Sequence, residues 1–172
     1  LLHCINQIKP DINNFIKRYN PKKIATVIAT TNTGIDKFEE TGNKEFLKMS
    51  NPAEFVRNYL GLDGAAYGIS TACSSGIKAF STAKRLIESG ICDAAIVGGT
   101  DELSRFPLAG FKSLEVLSEK RSNPFSKNRC GMNISESAAI FLVEKEGNGI
   151  NILGIGETSD AYHAATPNPE GT

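Results

Sequence analysis

Histidine is nearly absent from this chain, and cysteine, though present, is never clustered. His3 and His163 are its only histidines. Cys4, Cys73, Cys92 and Cys130 lie far apart, with no Cys-x-x-Cys pair and no Cys/His group of zinc spacing, which excludes a structural zinc site. Reduced thiols in a cytoplasmic protein are expected, with neither metal nor cofactor. Excess charge of one sign is also lacking. Nineteen Lys plus Arg balance nineteen Asp plus Glu, so no global field draws in nucleic acid or a membrane surface. No apolar run approaches the ~20 residues needed to span a bilayer. The opening Leu1-Leu2-His3-Cys4-Ile5-Asn6 lacks the apolar core of a secretory signal, and the chain starts abruptly, without Met. Low-complexity linkers and internal repeats are absent too.

What is present can bury one sizeable core, because 40% of the 172 residues are hydrophobic. Leu1, Leu2, Ile5 and Ile8 recur at helical spacing over residues 1–8, and Asp11 can cap a second short helix carrying Ile12, Phe15 and Ile16. Asn20-Pro21 ends it. The β-branched run 24–30 reads as a buried strand. Asn51 before Pro52 predicts a capped helix start, with Phe55, Val56, Tyr59 and Leu60 on its apolar face and Gly61 as its stop. Residues 66–72 read as a strand. Ser74 to Ser89 reads as a helix with the row Ile77, Phe80, Lys84 and Ile87, closed by Gly90; being apolar on more than one face, it is expected to be largely buried. The runs 94–99 and 138–143 show no alternation, as expected of strands covered on both sides. Residues 150–155 open one more strand. Strands alternating with helices predict a layered α/β fold.

Cys73 lies where the strand pattern gives way to the helix pattern. The unpaired N–H groups at a helix start favour thiolate over thiol, so this is where a nucleophile belongs. Gly76, one turn in, would let backbone or a thioester approach the sulfur. A lone cysteine is otherwise most often an ordinary buried thiol.

The neighbouring residues add to the nucleophile reading. The block Ser70-Thr71-Ala72-Cys73-Ser74-Ser75-Gly76, the run Ala94 to Gly99 with Asp101-Glu102, the loop Asn123 to Gly131, the segment Ser135 to Glu144 and the segment Ser159 to His163 occur in that order. Together they resemble the β-ketoacyl synthases of the thiolase-like superfamily. Three departures from that pattern stand out. Relatives usually carry Asp at the place of Cys130, an aromatic at Met132 and Gly at Ser135 and Ser137. Ser instead of Gly excludes a freely adopted positive φ, so the turn at Glu136 is either regular or mildly strained.

The resemblance implies two similar α/β halves stacked in five layers (α-β-α-β-α), with the helix after Cys73 as one of a buried central pair. Residues 1–149 would be most of the first half and residues 150–172 the start of the second, with an opening strand and hairpin missing before Leu1. It implies decarboxylative Claisen condensation, in which Cys73 takes an acyl group from acyl carrier protein and malonyl carrier protein then loses CO2 and attacks it. The Cys73 N–H would be one of two oxyanion donors. Ala72 and Phe111 fall where the family lines its acyl tunnel, or are simply core residues. Thr166 belongs to a block, Asp160 to Pro167, that resembles a loop flanking the phosphopantetheine entrance. Homodimers pair across the strand corresponding to residues 66–72. The family's two catalytic histidines, a supporting lysine and a Gly-Phe-Gly segment have no counterpart in this sequence, so the chain alone is not expected to condense.

Lys112, Lys120, Arg121, Lys127 and Arg129 concentrate in one stretch, with Glu115 and Glu119 interspersed. That stretch is either a solvated loop or a docking surface for an acidic carrier protein. Three other readings remain. A thiolase shares the fold but uses coenzyme A thioesters and a second catalytic cysteine. A polyketide or polyene synthase subunit fits the same motifs, and Met132-Asn133-Ile134 hints at the polyene branch. A non-catalytic chain-length partner usually lacks the cysteine.

Overall fold

The structure, a computed structural model, describes residues 1–163 and 166–171. Its frame is a four-stranded sheet in the order β2-β1-β3-β4, where β1 is Ile24–Ala29, β2 Ala66–Ile69, β3 Ala94–Asp101 and β4 Ser137–Glu144. β1 pairs in parallel with β2 and β3, while β4 runs antiparallel to β3 over its whole length, Ala94 opposite Glu144 and Asp101 opposite Ser137. Each residue of β1 is buried. That is the reason for its largely apolar run, since a central parallel strand has no solvent face; the one polar side chain, Thr26, is satisfied by donating to the Ala53 carbonyl oxygen at 3.1 Å.

The two faces of the sheet carry separate cores. On one, Ile24, Ile28, Ala94 and Ile96 pack against α1 (Leu2–Gln7), α2 (Lys9–Lys17) and α4 (Asn51–Tyr59) through Ile5, Ile12, Phe15, Ala53 and Val56. On the other, Ala25, Val27, Ala29, Ala95 and Val97 meet α5 (Ser75–Glu88) through Ala79, Ala83, Leu86 and Ile87. The layered α/β expectation holds. Gly61 and Gly90 adopt φ +65° and +74° at the helix ends assigned to them, a conformation that costs glycine nothing. Gly68 in β2 is required by space: a Cβ there would stand 1.8 Å from the Met49 carbonyl oxygen.

Several expectations need correction. Asp11 does not cap α2, which starts at Lys9 with Pro10 in its first turn. Asn51 is inside α4 rather than ahead of it, and its Nδ2 donates to the Glu45 carbonyl oxygen at 3.5 Å. Strand β2 ends at Ile69, so residues 70–72 belong to a turn. α5 is not buried all round: the sheet packs on one face and the segment around Glu157 lies over Ser81, but Ile77 is 70% exposed. β4 is an edge strand with alternating exposure and Phe141 half exposed, not a strand covered on both sides. Residues 150–155 form no strand, since no described strand pairs with them, and Ile150 and Leu153 are fully exposed. The turn at Glu136 is regular, with no positive φ at Ser135 or Ser137.

Two helices give no clear sequence signal, α3 (Ile35–Thr41) and α6 (Arg105–Ser113). Neither buries a side chain. After β4 the chain crosses α5, where Glu157 forms ion pairs with Lys78 and Arg85 and accepts a hydrogen bond from Ser81 Oγ at 3.4 Å. Lys78 holds its carboxyl below the usual range. No helix is long and apolar enough to cross a membrane among the described residues.

Candidate active site

The carboxyl end of β2 is tied to that of β1, with the Thr30 N–H donating to the Ile69 carbonyl oxygen at 3.0 Å. Beyond it the chain reverses within a few residues and enters α5. Cys73 sits in that reversal, one residue before the helix cap Ser74, and is exposed. It thus precedes the first turn of the helix instead of lying in it.

The reversal is strained and then pinned. Ala72 adopts φ +54°, a left-handed conformation that costs an L-residue about 1–2 kcal/mol and persists only when its surroundings impose it. The Ser75 Oγ accepts from the Thr71 N–H at 2.8 Å and donates to the Ala72 carbonyl oxygen at 2.6 Å. Ser74 Oγ donates to the Thr71 carbonyl oxygen at 2.8 Å and lies 3.0 Å from Thr71 Oγ1. A strained strand-to-helix turn that lifts one side chain clear of the backbone is the geometry in which hydrolases display a nucleophile. Here the side chain lifted is a thiol, an acceptor for acyl groups.

Beside this turn, the ends of β1 and β3 are joined through Asp101. Its Oδ1 accepts from Thr30 Oγ1 at 2.9 Å and the Thr31 N–H at 2.8 Å, and its Oδ2 accepts from Thr31 Oγ1 at 2.9 Å. Asn32 Nδ2 then donates to the Glu102 carbonyl oxygen at 2.9 Å. Burial first, and the charge of Asp36 second, push the Glu102 carboxyl above its ordinary range. Sequence reasoning noted Asp101-Glu102 as a motif but missed the Thr30-Thr31 side of this junction, and missed Ser75. The polar pair Ser74-Ser75 directly after Cys73 was the available signal.

The other expected residues are more scattered. Ala72 adjoins Cys73. Phe111 is half-buried on α6 and Thr166 is exposed near the end of the chain; among the described residues no hydrogen bond links either to the Cys73 turn. Among the described residues, apart from its chain neighbours and the backbone of its own helix, no atom lies within 4 Å of the place a Cβ on Gly76 would occupy. His3 is on α1, across the sheet from α5, with a ring nitrogen 3.3 Å from Gln7 Nε2. It cannot act as a base for Cys73. A cavity of about 520 Å³ beside His3 and Cys4, reaching Phe55, Asp101 and Glu102, does not include Cys73. Lys112, Lys120, Arg121, Lys127 and Arg129 are all exposed, on α6 and the loop that follows. Among the described residues no group of His, Cys, Asp and Glu is arranged to hold a metal ion.

Known proteins resemble this chain in sequence and in fold. The family model for the β-ketoacyl synthase N-terminal domain matches residues 19–148. A 3-oxoacyl-[acyl-carrier-protein] synthase 2 from Staphylococcus aureus is 34% identical over 126 residues, covering 65% of this chain and 31% of that protein. Its counterpart from Vibrio cholerae is 33% identical over 127 residues, with the same coverage of each. The chain therefore spans about a third of the length of these curated relatives. Among solved structures, a ketosynthase (ApeO) in complex with its chain length factor (ApeC) from Xenorhabdus doucetiae superposes with TM-score 0.86 at 38% identity, covering 99% of this chain and 46% of that one. A type II polyketide synthase ketosynthase bound to its acyl-carrier protein shares the fold at TM-score 0.70 and 22% identity, covering 79% of this chain and 40% of that one.

Proposed function

Because this chain belongs to the β-ketoacyl synthase family of the thiolase-like superfamily, we propose that Cys73 is the acyl-accepting nucleophile of a 3-oxoacyl-[acyl-carrier-protein] synthase. The observation that carries this reading is the exposed thiol on the strained turn at Ala72, inside the matched region. In the first half-reaction the Cys73 thiolate attacks the carbonyl carbon of an acyl thioester. The oxygen becomes an oxyanion in a tetrahedral intermediate, the bond to the carrier thiol breaks, and that thiolate takes up a proton while the acyl group stays on Cys73 Sγ. In the second, a malonyl thioester loses CO2 and its enolate carbon attacks the acyl-Cys73 carbonyl. A β-ketoacyl thioester leaves and the thiolate is regenerated.

The parts of the site stay unequal. Residues matching the family's two decarboxylation histidines are not among the 172, and His3 is across the sheet. Each such electrostatic partner is typically worth orders of magnitude in rate. Residues 1–149 supply the acyl-accepting half of the fold and residues 150–172 begin the second. The carrier is acyl carrier protein in the cytoplasm, docked by the exposed basic stretch from Lys112 to Arg129. Ala72 and Phe111 border the acyl tunnel and Thr166 its entrance. The outer edge of β2, unpaired among the described residues, is the pairing strand of a dimer.

Incubation with octanoyl-loaded and malonyl-loaded carrier proteins tests the division. The expected result is acyl-Cys73 without β-ketoacyl product; robust malonyl-dependent condensation by the 172-residue chain alone would contradict it. A second reading is a ketosynthase of a polyketide or polyene pathway, partnered by a chain length factor. It is favoured by the near-complete coverage of this chain in the match to ApeO with its chain length factor. Stable co-purification with such a factor, in place of self-pairing, would distinguish the two.

A further inference from the structure

We propose that Ser75 is a positioning residue for acyl transfer, holding the Ala72–Cys73 peptide plane so that the Cys73 N–H faces the reacting carbonyl oxygen. This rests on Cys73 being the acyl acceptor and names what aims its backbone.

Ser75 is only 4% exposed, at the start of the helix that goes on to present Ala79, Ala83 and Leu86 to the sheet. Its one hydroxyl grips both sides of the strained residue, accepting from the Thr71 N–H and donating to the Ala72 carbonyl oxygen. The Ser75 N–H donates to that same oxygen at 3.1 Å. A trans peptide is planar, with its C=O and N–H pointing in opposite directions. Two donors on the Ala72 oxygen therefore fix the direction of the Cys73 N–H, aiming it away from the first turn of α5. Among the described residues that N–H has no hydrogen-bond acceptor.

Ala72 would not keep φ +54° unaided. Without the Ser75 hydroxyl, the Thr71 N–H loses its partner and the strained plane is held by a single donor. Ser74 does not replace it, since its Oγ bonds Thr71 and not Ala72.

An aimed N–H matters only to a reaction that builds an oxyanion. Acyl transfer from a thioester does so. Alkylation by iodoacetamide does not: the thiolate displaces iodide from a CH2 carbon and no carbonyl becomes tetrahedral. The two reactions use the same sulfur, which separates aiming from reactivity.

The test measures both rates at Cys73 by mass spectrometry of its proteolytic peptide, which separates it from Cys4, Cys92 and Cys130, using octanoyl-N-acetylcysteamine thioester and iodoacetamide on the full chain. Ser75→Ala should slow acylation by about 10- to 100-fold, as misaimed groups do, while alkylation stays within about two-fold. Ser75→Thr keeps the hydroxyl and should restore most of the acylation rate. If Ser75→Ala fails to fold, Ser75→Asn, which keeps a displaced donor and adds no thiol, should show a smaller loss confined to acylation. Equal losses in both reactions, or no loss in either, would overturn the positioning role and leave acyl transfer to Cys73 standing. No acylation of the unsubstituted chain at Cys73 would overturn both.

Discussion

Up to Ser104 the chain buries its apolar side chains on both faces of one sheet, whereas from Arg105 onward no described residue is buried. Composition does not explain the contrast, because the later region carries Phe106, Leu114, Phe125, Phe141, Ile150 and Leu153, all exposed. They lack a covering layer. Exposed apolar side chains mark a contact surface where they form a contiguous patch. Cys73 belongs to the packed region, so its turn is set by a rigid scaffold, while the later region offers surface for what the proposed function still needs.

The contrast is sharpest in stability. Ile28, fully buried in β1, should cost about 3 kcal/mol when cut to Ala, by lost burial plus the cavity left behind. The same truncation at Leu153 should stay within about 0.5 kcal/mol. Urea unfolding of both variants checks the difference, and equal costs would break the comparison.

A second test concerns the open surface. Replacing Ile77 on α5 and Phe106 on α6 with Glu should shift the chain toward monomer in velocity sedimentation at micromolar concentration, with little change in its unfolding midpoint. An unchanged sedimentation profile would mean that these side chains make no contacts between copies.

The smallest effect lies at the boundary between the two regions. The Glu102 carboxyl is raised by burial and then by Asp36, with Lys37 and the Asp36 N–H opposing and Glu136 adding slightly. A carboxyl raised on folding contributes stability that is full below its unfolded value of about 4.5 and is lost as pH rises through its folded value. Glu102→Gln mimics the protonated form, so it should raise Tm by about 1–3 °C at pH 7 and leave it unchanged at pH 4. An equal shift at both pH values would remove the charge from the account.

How legible this was in the sequence follows the same division. β1 and β3 announced themselves as runs without polar alternation, and Gly61 and Gly90 as helix stops, because burial on both faces and positive φ leave direct marks on residue choice. α6 left none, since a helix that buries no side chain needs no apolar stripe. Residues 150–155 carry strand-like residues but no strand, because pairing is a property of the partner as much as of the sequence. At the site, the junction at Cys73 was readable from the change of period. The strain at Ala72 was not, as alanine gives no hint of a left-handed backbone. Nor was the burial of Ser75, which depends on how α5 meets the sheet.

The account turns on Cys73 as a nucleophile prepared by its turn. The direct measurement is intact-mass spectrometry after incubation with octanoyl-loaded acyl carrier protein, comparing the unsubstituted chain with Cys73→Ala. A single acyl adduct that disappears in Cys73→Ala is the predicted result. No adduct, with all four thiols alkylating slowly and alike, would contradict it and leave the chain a structural domain without a preformed site.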